Sequence, residues 1–152
     1  MSLPAAESRR RGVVAVVLRE GRLLVIRRSS HVVAPGVLCF PGGGIEAGES
    51  EAEALVREVR EELGVTVLPL ARAWKSVTSW NVEIAWWRAD MDGAAEIVPN
   101  PTEVASAHWL TPLELLSRPD VLESNRHFLT AIATRQIVVE GLVFPAGDGS
   151  DD

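Results

Sequence analysis

Three consecutive glycines and seven glutamates crowd into PGGGIEAGESEAEALVREVREELGV, Pro41 to Val65. Clustered carboxylates beside backbone carbonyls make an all-oxygen donor set, the kind that hard Mg²⁺ or Mn²⁺ prefers. Glycines let the backbone approach a ligand closely. A solvated acidic helix face is the competing reading, since like charges three or four apart destabilise a helix by only about 0.2–0.5 kcal/mol per pair.

The stretch carries its own helix signals. Ser50 and Glu53 form an S-x-x-E capping box, and Gly64 sits where a helix C-terminal glycine belongs. Ala52, Leu55, Val56, Val59 and Leu63 recur at helical spacing and give one apolar face. At about 100° per residue, Glu58, Glu61 and Glu62 fall within an arc of about 100°, centred about 120° from that face. The spacing predicts three carboxylates on one face and burial of the other.

Gly43, Glu49, Arg57-Glu58-Val59, Glu61-Glu62 and Gly64-Val65 reproduce the signature of the Nudix box without a departure. Seven fixed and two aliphatic positions would match at a given start by chance about once in 10⁹. The chain therefore resembles the Nudix hydrolases, which cut a diphosphate linkage in a nucleoside diphosphate joined to a group X. The resemblance implies an α/β (α+β) fold, an α/β/α sandwich around a central mixed β-sheet. It implies that Glu58, Glu61 and Glu62 are metal-binding and catalytic carboxylates, with the carbonyl of Gly42 as a further ligand. Arg57 and Glu49 are expected to brace loop and helix, and Gly43 and Gly44 to bring backbone to the substrate. About one to three Mg²⁺ ions, with Mn²⁺ as a substitute, would bridge carboxylates to phosphate and activate water. Without metal, mutual repulsion should raise the pKa of unpaired glutamates.

Positions outside the box are similar to the MutT-type nucleotide-pool enzymes. Arg28 stands thirteen residues before Pro41, as an arginine that contacts nucleotide phosphates or sugar does there, or it is a strand-end surface arginine. Glu103, six residues before Trp109, matches a loop glutamate that completes the metal site or positions water, or it is a solvated loop residue. Asn125 falls one residue from the place of an asparagine that reads an oxidised guanine; the competing role is a local backbone bond at a helix start. The resemblance implies a (d)NTP pyrophosphohydrolase giving NMP and pyrophosphate. The alternatives are an ADP-ribose or nucleotide-sugar pyrophosphatase, and a catalytically silent nucleotide-binding regulator. The proline of ADP-ribose hydrolases and the tyrosine of dinucleoside polyphosphate hydrolases are both missing after the box. With no tyrosine in the chain, base stacking would fall to Trp or Phe. Trp74, Trp80, Trp86, Trp87 and Trp109 are candidates, each with a packing role as the alternative. Adjacent Trp86 and Trp87 must point to opposite faces of a strand, which leaves one free to face a cleft. Glu46 and Glu51 are expected to face solvent, and His31, His108 and His127 have no metal-ligand spacing.

Elements must hold this constellation. Gly12–Leu18 and Arg22–Arg28 read as a β-hairpin across REG. VTVLPLARAWKSVTSW, NVEIAWWRADM and VASAHWL read as strands. TPLELLS is a helix capped by Thr111, SNRHFLTAIATRQ a further helix, and IVVEGLVF a closing strand or hairpin. The 152 residues suit a single domain, with flexible tails at about 1–10 and 146–152. A net charge of -6 argues against a nucleic-acid polymer as partner. No apolar run nears the roughly 20 residues of a membrane helix. Cys39 is the single cysteine, which excludes an internal disulfide and favours a cytoplasmic setting. The expected partner is a small nucleotide, and the expected state a monomer or homodimer.

Overall fold

The structure is a computed structural model and describes residues 9–142 and residue 144. In chain order the strands are β1 (Arg10–Arg19), β2 (Arg22–Arg28), β3 (Leu38–Cys39) and β4 (Gly42–Gly44). Helix α1 (Glu51–Leu63) follows, then β5 (Val67–Val77), β6 (Val82–Met91) and β7 (Val104–Leu110). Two helices, α2 (Pro112–Leu116) and α3 (Glu123–Ala133), complete the order. Arg10 already belongs to β1, so the first strand begins inside the expected N-terminal tail; the remainder of both tails, apart from Arg9, lies outside the described residues.

The sheet runs β3-β2-β1-β6-β5, with β4 paired to β1 and β7 paired to β2. The β1–β6 pair is parallel and the other pairs are antiparallel. It is therefore a mixed sheet, as expected. Side chains alternate across a strand, and the hydrophobic pattern uses both faces. Val13, Ala15 and Val17 of β1, with Leu24 and Ile26 of β2, pack against Ala54, Leu55, Val59 and Leu63 of α1. Val16, Leu23 and Val25 pack on the other face against Leu115 of α2 and Phe128, Leu129 and Ile132 of α3. Each face is thus covered by a helix layer, an α+β sandwich.

The helix caps behave as their residues require. Ser50 and Thr111 both form complete capping boxes, and Gly64 closes α1 at φ 67°. The closing segment differs from expectation. Over its described residues, IVVEGLVF forms a turn rather than a strand. Val139 and Leu142 are both buried in the α3-side core while Val138 is 84% exposed. Two anchors three residues apart would face opposite sides of a strand; a turn, closed by the Leu142 N–H on the Val139 carbonyl at 3.0 Å, puts both inward. No helix among the described residues is long and apolar enough to cross a membrane.

Candidate active site

Strand β4 contains only glycine, and both neighbours explain why. Its register sets Gly42 opposite Val14, Gly43 opposite Val13 and Gly44 opposite Gly12. A Cβ on Gly42 would stand 2.2 Å from the Val13 carbonyl oxygen, and one on Gly43 would stand 2.3 Å from Cδ of Glu58. The strand is a thin wall between β1 and the carboxylates of α1.

Arg57 organises those carboxylates. Its Nε donates to Glu49 Oε2 at 2.6 Å and its Nη2 to Glu49 Oε1 at 2.8 Å. Nη2 also reaches the Gly44 carbonyl at 2.9 Å. Nη1 donates to Glu58 Oε1 at 2.9 Å and lies 3.4 Å from Glu61 Oε2. One guanidinium therefore joins the loop, β4 and two box glutamates. The Arg57 hydrogen bonds, with the Glu46 backbone N–H, hold the Glu49 carboxyl down at about 2.

The three box glutamates do not share one exposed face. Glu61 is half exposed, Glu58 is largely covered, and Glu62 is buried with 6% exposure. The helix is turned so that Ala54 is fully covered and Ala52 is not, which swings Glu62 inward. There its Oε1 accepts the Gly42 N–H at 3.0 Å. Burial is the leading cause that pushes the Glu62 carboxyl up to about 8; the Gly42 N–H opposes it and the charges of Glu58 and Glu103 add to it. Burial likewise leads in raising Glu58, opposed by Arg57. Repulsion, the expected cause, ranks below both desolvation and the opposing hydrogen bond at each position.

Glu103 lies beyond the C-terminal turn of α1, near enough for its charge to oppose ionisation of Glu58 and Glu62. Among the described residues no three carboxylate, imidazole or thiolate groups stand gathered at metal-ligand spacing, with Arg57 turned onto Glu58 and Glu61. The donor set itself fits a hard divalent cation. It is all oxygen, it includes a buried carboxylate with a single hydrogen bond, and it leaves four glutamates (Glu58, Glu61, Glu62, Glu103) with one arginine already chelated by Glu49.

Strand β4 also lines a cavity of about 640 Å³. Arg28, Gly42, Gly43, Gly44, Glu49 and Asn125 all line it, so the structure brings these candidates together. Glu58, Glu61, Glu62 and Glu103 are not in its wall. Arg28 donates from Nε to the Val33 carbonyl at 2.7 Å and approaches Cys39 Sγ at 3.9 Å. Burial pushes the Cys39 thiol up to about 11, which keeps it a protonated packing group.

Asn125 makes no local backbone bond. Its Oδ1 accepts the Phe40 N–H at 2.7 Å, and its Nδ2 donates to Ser124 Oγ at 3.1 Å. The residue that precedes helix α3 is Leu122, whose N–H is held by the Leu38 carbonyl. Asn125→Ala should leave the buried Phe40 N–H unpaired and lower stability by about 1–3 kcal/mol, read by thermal melting; an unchanged melt would contradict this role.

All the tryptophans except Trp80 pack against the core. Trp86 is fully buried and stacks on Phe128 at 4.5 Å with planes 2° apart. Trp87 donates from Nε1 to Glu51 at 2.8 Å, so neither of the pair faces the cavity. Trp109 lies under the Arg19 guanidinium, and Trp80 is exposed. Glu51, expected in solvent, also pairs with Arg11 and Arg72 and ties α1 to β1, β5 and β6. Sequence reasoning passed over Arg9, Arg10, Arg11 and Ser124 in the cavity wall; three arginines running into an apolar strand were the visible signal. Asn100, in the loop before Glu103, offered none.

The match to known proteins agrees with this geometry. The NUDIX domain family model matches residues 8–132. A CTP pyrophosphohydrolase of Escherichia coli (strain K12) is 32% identical over 111 residues, 70% of this chain and 79% of that protein. A NAD-capped RNA hydrolase NudC of Stutzerimonas stutzeri is 36% identical over 129 residues, 82% of this chain but only 45% of that protein. The crystal structure of a MutT protein from Methanosarcina mazei Go1 superposes with a TM-score of 0.71 at 24% identity, covering 84% of this chain and 94% of that one. With the glycine wall, the Arg57 clasp and the box glutamates in place, the chain belongs to the NUDIX family and is a Nudix hydrolase.

Proposed function

We propose that the chain is a Mg²⁺-dependent pyrophosphohydrolase of nucleoside triphosphates, releasing NMP and pyrophosphate, with Mn²⁺ as a working substitute. The observation that carries this reading is that the one glycine strand lines an arginine-bearing cavity and also abuts the acidic cluster, at Glu58 through Gly43 and at Glu62 through the Gly42 N–H. A triphosphate laid across that strand has its nucleoside in the cavity and its anhydride at the carboxylates. A nucleoside triphosphate relative, the CTP pyrophosphohydrolase, supports the same substrate class.

Phosphate and carboxylate would repel without help, by about 4 kcal/mol per unit pair at 4 Å in an effective dielectric near 20. Glu58, Glu61, Glu62, Glu103 and the Gly42 carbonyl would hold the metal, which reverses that sign, lowers the pKa of bound water and stabilises charge on the leaving group. Arg57 holds the Gly44 carbonyl directly and the loop through Glu49, so the groups meet the anhydride preorganised. Arg10 and Arg28 add positive charge to the cavity wall, and Ser124, held by the buried Asn125 amide, adds a hydroxyl.

A panel of NTPs, ADP-ribose, a nucleotide sugar and NAD, assayed with Mg²⁺ and with Mn²⁺ for released pyrophosphate or NMP, tests the reading. Pyrophosphate from at least one NTP is the expected result, and no release from any NTP would overturn it. Excess chelator should abolish turnover, with at least about a hundredfold loss; full activity in chelator would sink the metal-dependent reading.

A further inference from the structure

The last turn of an α-helix leaves carbonyls without partners, and α1 resolves this in an unusual place. Val98 N–H donates to the Leu63 carbonyl at 2.8 Å, and Asn100 N–H donates to the Glu62 carbonyl at 2.8 Å. The Asn100 side chain adds a third bond, from Nδ2 to the Glu61 carbonyl at 3.3 Å. Two of these carbonyls belong to box glutamates. The same asparagine then folds the loop that follows. Its Oδ1 accepts the Thr102 N–H at 3.1 Å, and its carbonyl accepts the N–H groups of Glu103 at 3.0 Å and Val104 at 2.7 Å.

Glu103 is thus held from both ends. Its carbonyl accepts the N–H of buried Ser29 at 3.0 Å, and Ser29 Oγ donates to the Thr102 carbonyl at 2.7 Å. Asn100 stands between Pro99 and Pro101, so the rings fix φ on both sides and restrict the asparagine itself. The asparagine amide donates to one backbone with its nitrogen and accepts from another with its oxygen, so both bonds are made at once. Aspartate would lose the donor and set a negative charge against the helix C-terminus.

We propose that Asn100 is a positioning residue for the hydrolase reaction, locking the Glu103 loop to the last turn of α1 so that Glu103 keeps a fixed placement relative to Glu58 and Glu62. The inference rests on the reading of these glutamates as the metal-holding set. Carboxylates that share one cation from separate elements must be held to within about 0.5 Å, and here the backbone of Glu61 and Glu62 is bonded directly to the residue that folds the Glu103 loop.

The test is a double-mutant cycle on the full chain with Asn100→Ala and Glu103→Gln. Mn²⁺ binding is read by calorimetry, kcat and KM with the best NTP, and melting in chelator. Asn100→Ala is expected to weaken Mn²⁺ binding and lower kcat by about tenfold or more, with KM within about twofold. In the Glu103→Gln background the same change should alter neither. Equal losses in both backgrounds, or no loss in either, would overturn the proposal and leave Asn100 a helix cap. Wild-type protein that binds no Mn²⁺ would overturn the functional reading itself, a distinct result. Should Asn100→Ala melt below the assay temperature, Asn100→Ser, which keeps a hydroxyl to accept the Thr102 N–H, supports the same comparison.

Discussion

Glu62→Gln is expected to lower turnover by about 10²–10³-fold while raising the melting temperature of the metal-free protein. The first effect follows from loss of a carboxylate beside Gly42 in the acidic cluster. The second follows from burial. Glu62 has a folded-state pKa of about 8 against an ordinary value of 4.5, so the folded form holds a proton that the unfolded chain releases. For such a group stability is fully present below the ordinary value and is lost as pH rises through the window to about 8. The glutamine has no charge to desolvate, and its oxygen still accepts the Gly42 N–H. Melts of both proteins from pH 5 to 9 in chelator should therefore diverge, with the gap widening up to about pH 8. Saturating Mg²⁺ should narrow it, because a cation bound to the folded state favours the ionised carboxylate. A gap that stays constant with pH, or turnover that survives the change, would contradict the placement of Glu62.

The second large effect separates two neighbouring glycines. Gly43→Ala should leave the fold intact and reduce kcat/KM by about a hundredfold, whereas Gly42→Ala should destabilise the protein by about 1–3 kcal/mol. At Gly43 the new methyl meets the Glu58 carboxylate, with atoms at 2.3, 2.4 and 2.7 Å. That side chain can rotate away, so the methyl displaces the carboxylate and spares the backbone. At Gly42 the methyl meets the Val13 carbonyl at 2.2 Å and the Val14 Cα at 2.9 Å. These are backbone atoms of the central strand, which cannot move without disturbing β6 on its other side. Thermal melts and steady-state kinetics on both variants decide the matter. Equal loss of stability in the two would show that the wall is tight everywhere and that the Glu58 contact has no special part.

Local chemistry was legible in the residue pattern where a single element defined it. Ser50, Glu53, Gly64 and Thr111 could be placed as caps because capping depends on a few adjacent residues. The family resemblance implied that Arg57 and Glu49 brace loop and helix, and the structure joins them by two hydrogen bonds. What escaped depends on where elements dock. A helical wheel sets Glu62 beside Glu58 and Glu61, but the rotation of α1 against β4 decides which of them is desolvated. Glu51 looked like a surface residue until β5 and β6 brought Arg72 and Trp87 to it. Asn125 looked like a local capping residue, and its partner is Phe40, 85 positions away in sequence. IVVEGLVF had strand-like composition, and the depth of the α3-side core at Val139 and Leu142 settled it as a turn.

The parallel pairing of β1 with β6 also governs how the chain is made. Arg10 pairs with Val82 and Val17 with Ala89, so the central strand waits for a partner translated about 70 residues later. At ribosomal rates of about 5–20 residues per second the delay is several seconds. Through that interval the apolar edge of Val13 to Val17 stays unpaired on one side, and long-range closure of this kind is slow. Yield in a cell is therefore sensitive to how promptly β6 emerges, and slow codons placed between the glutamate helix and β6 would prolong the aggregation-prone stage.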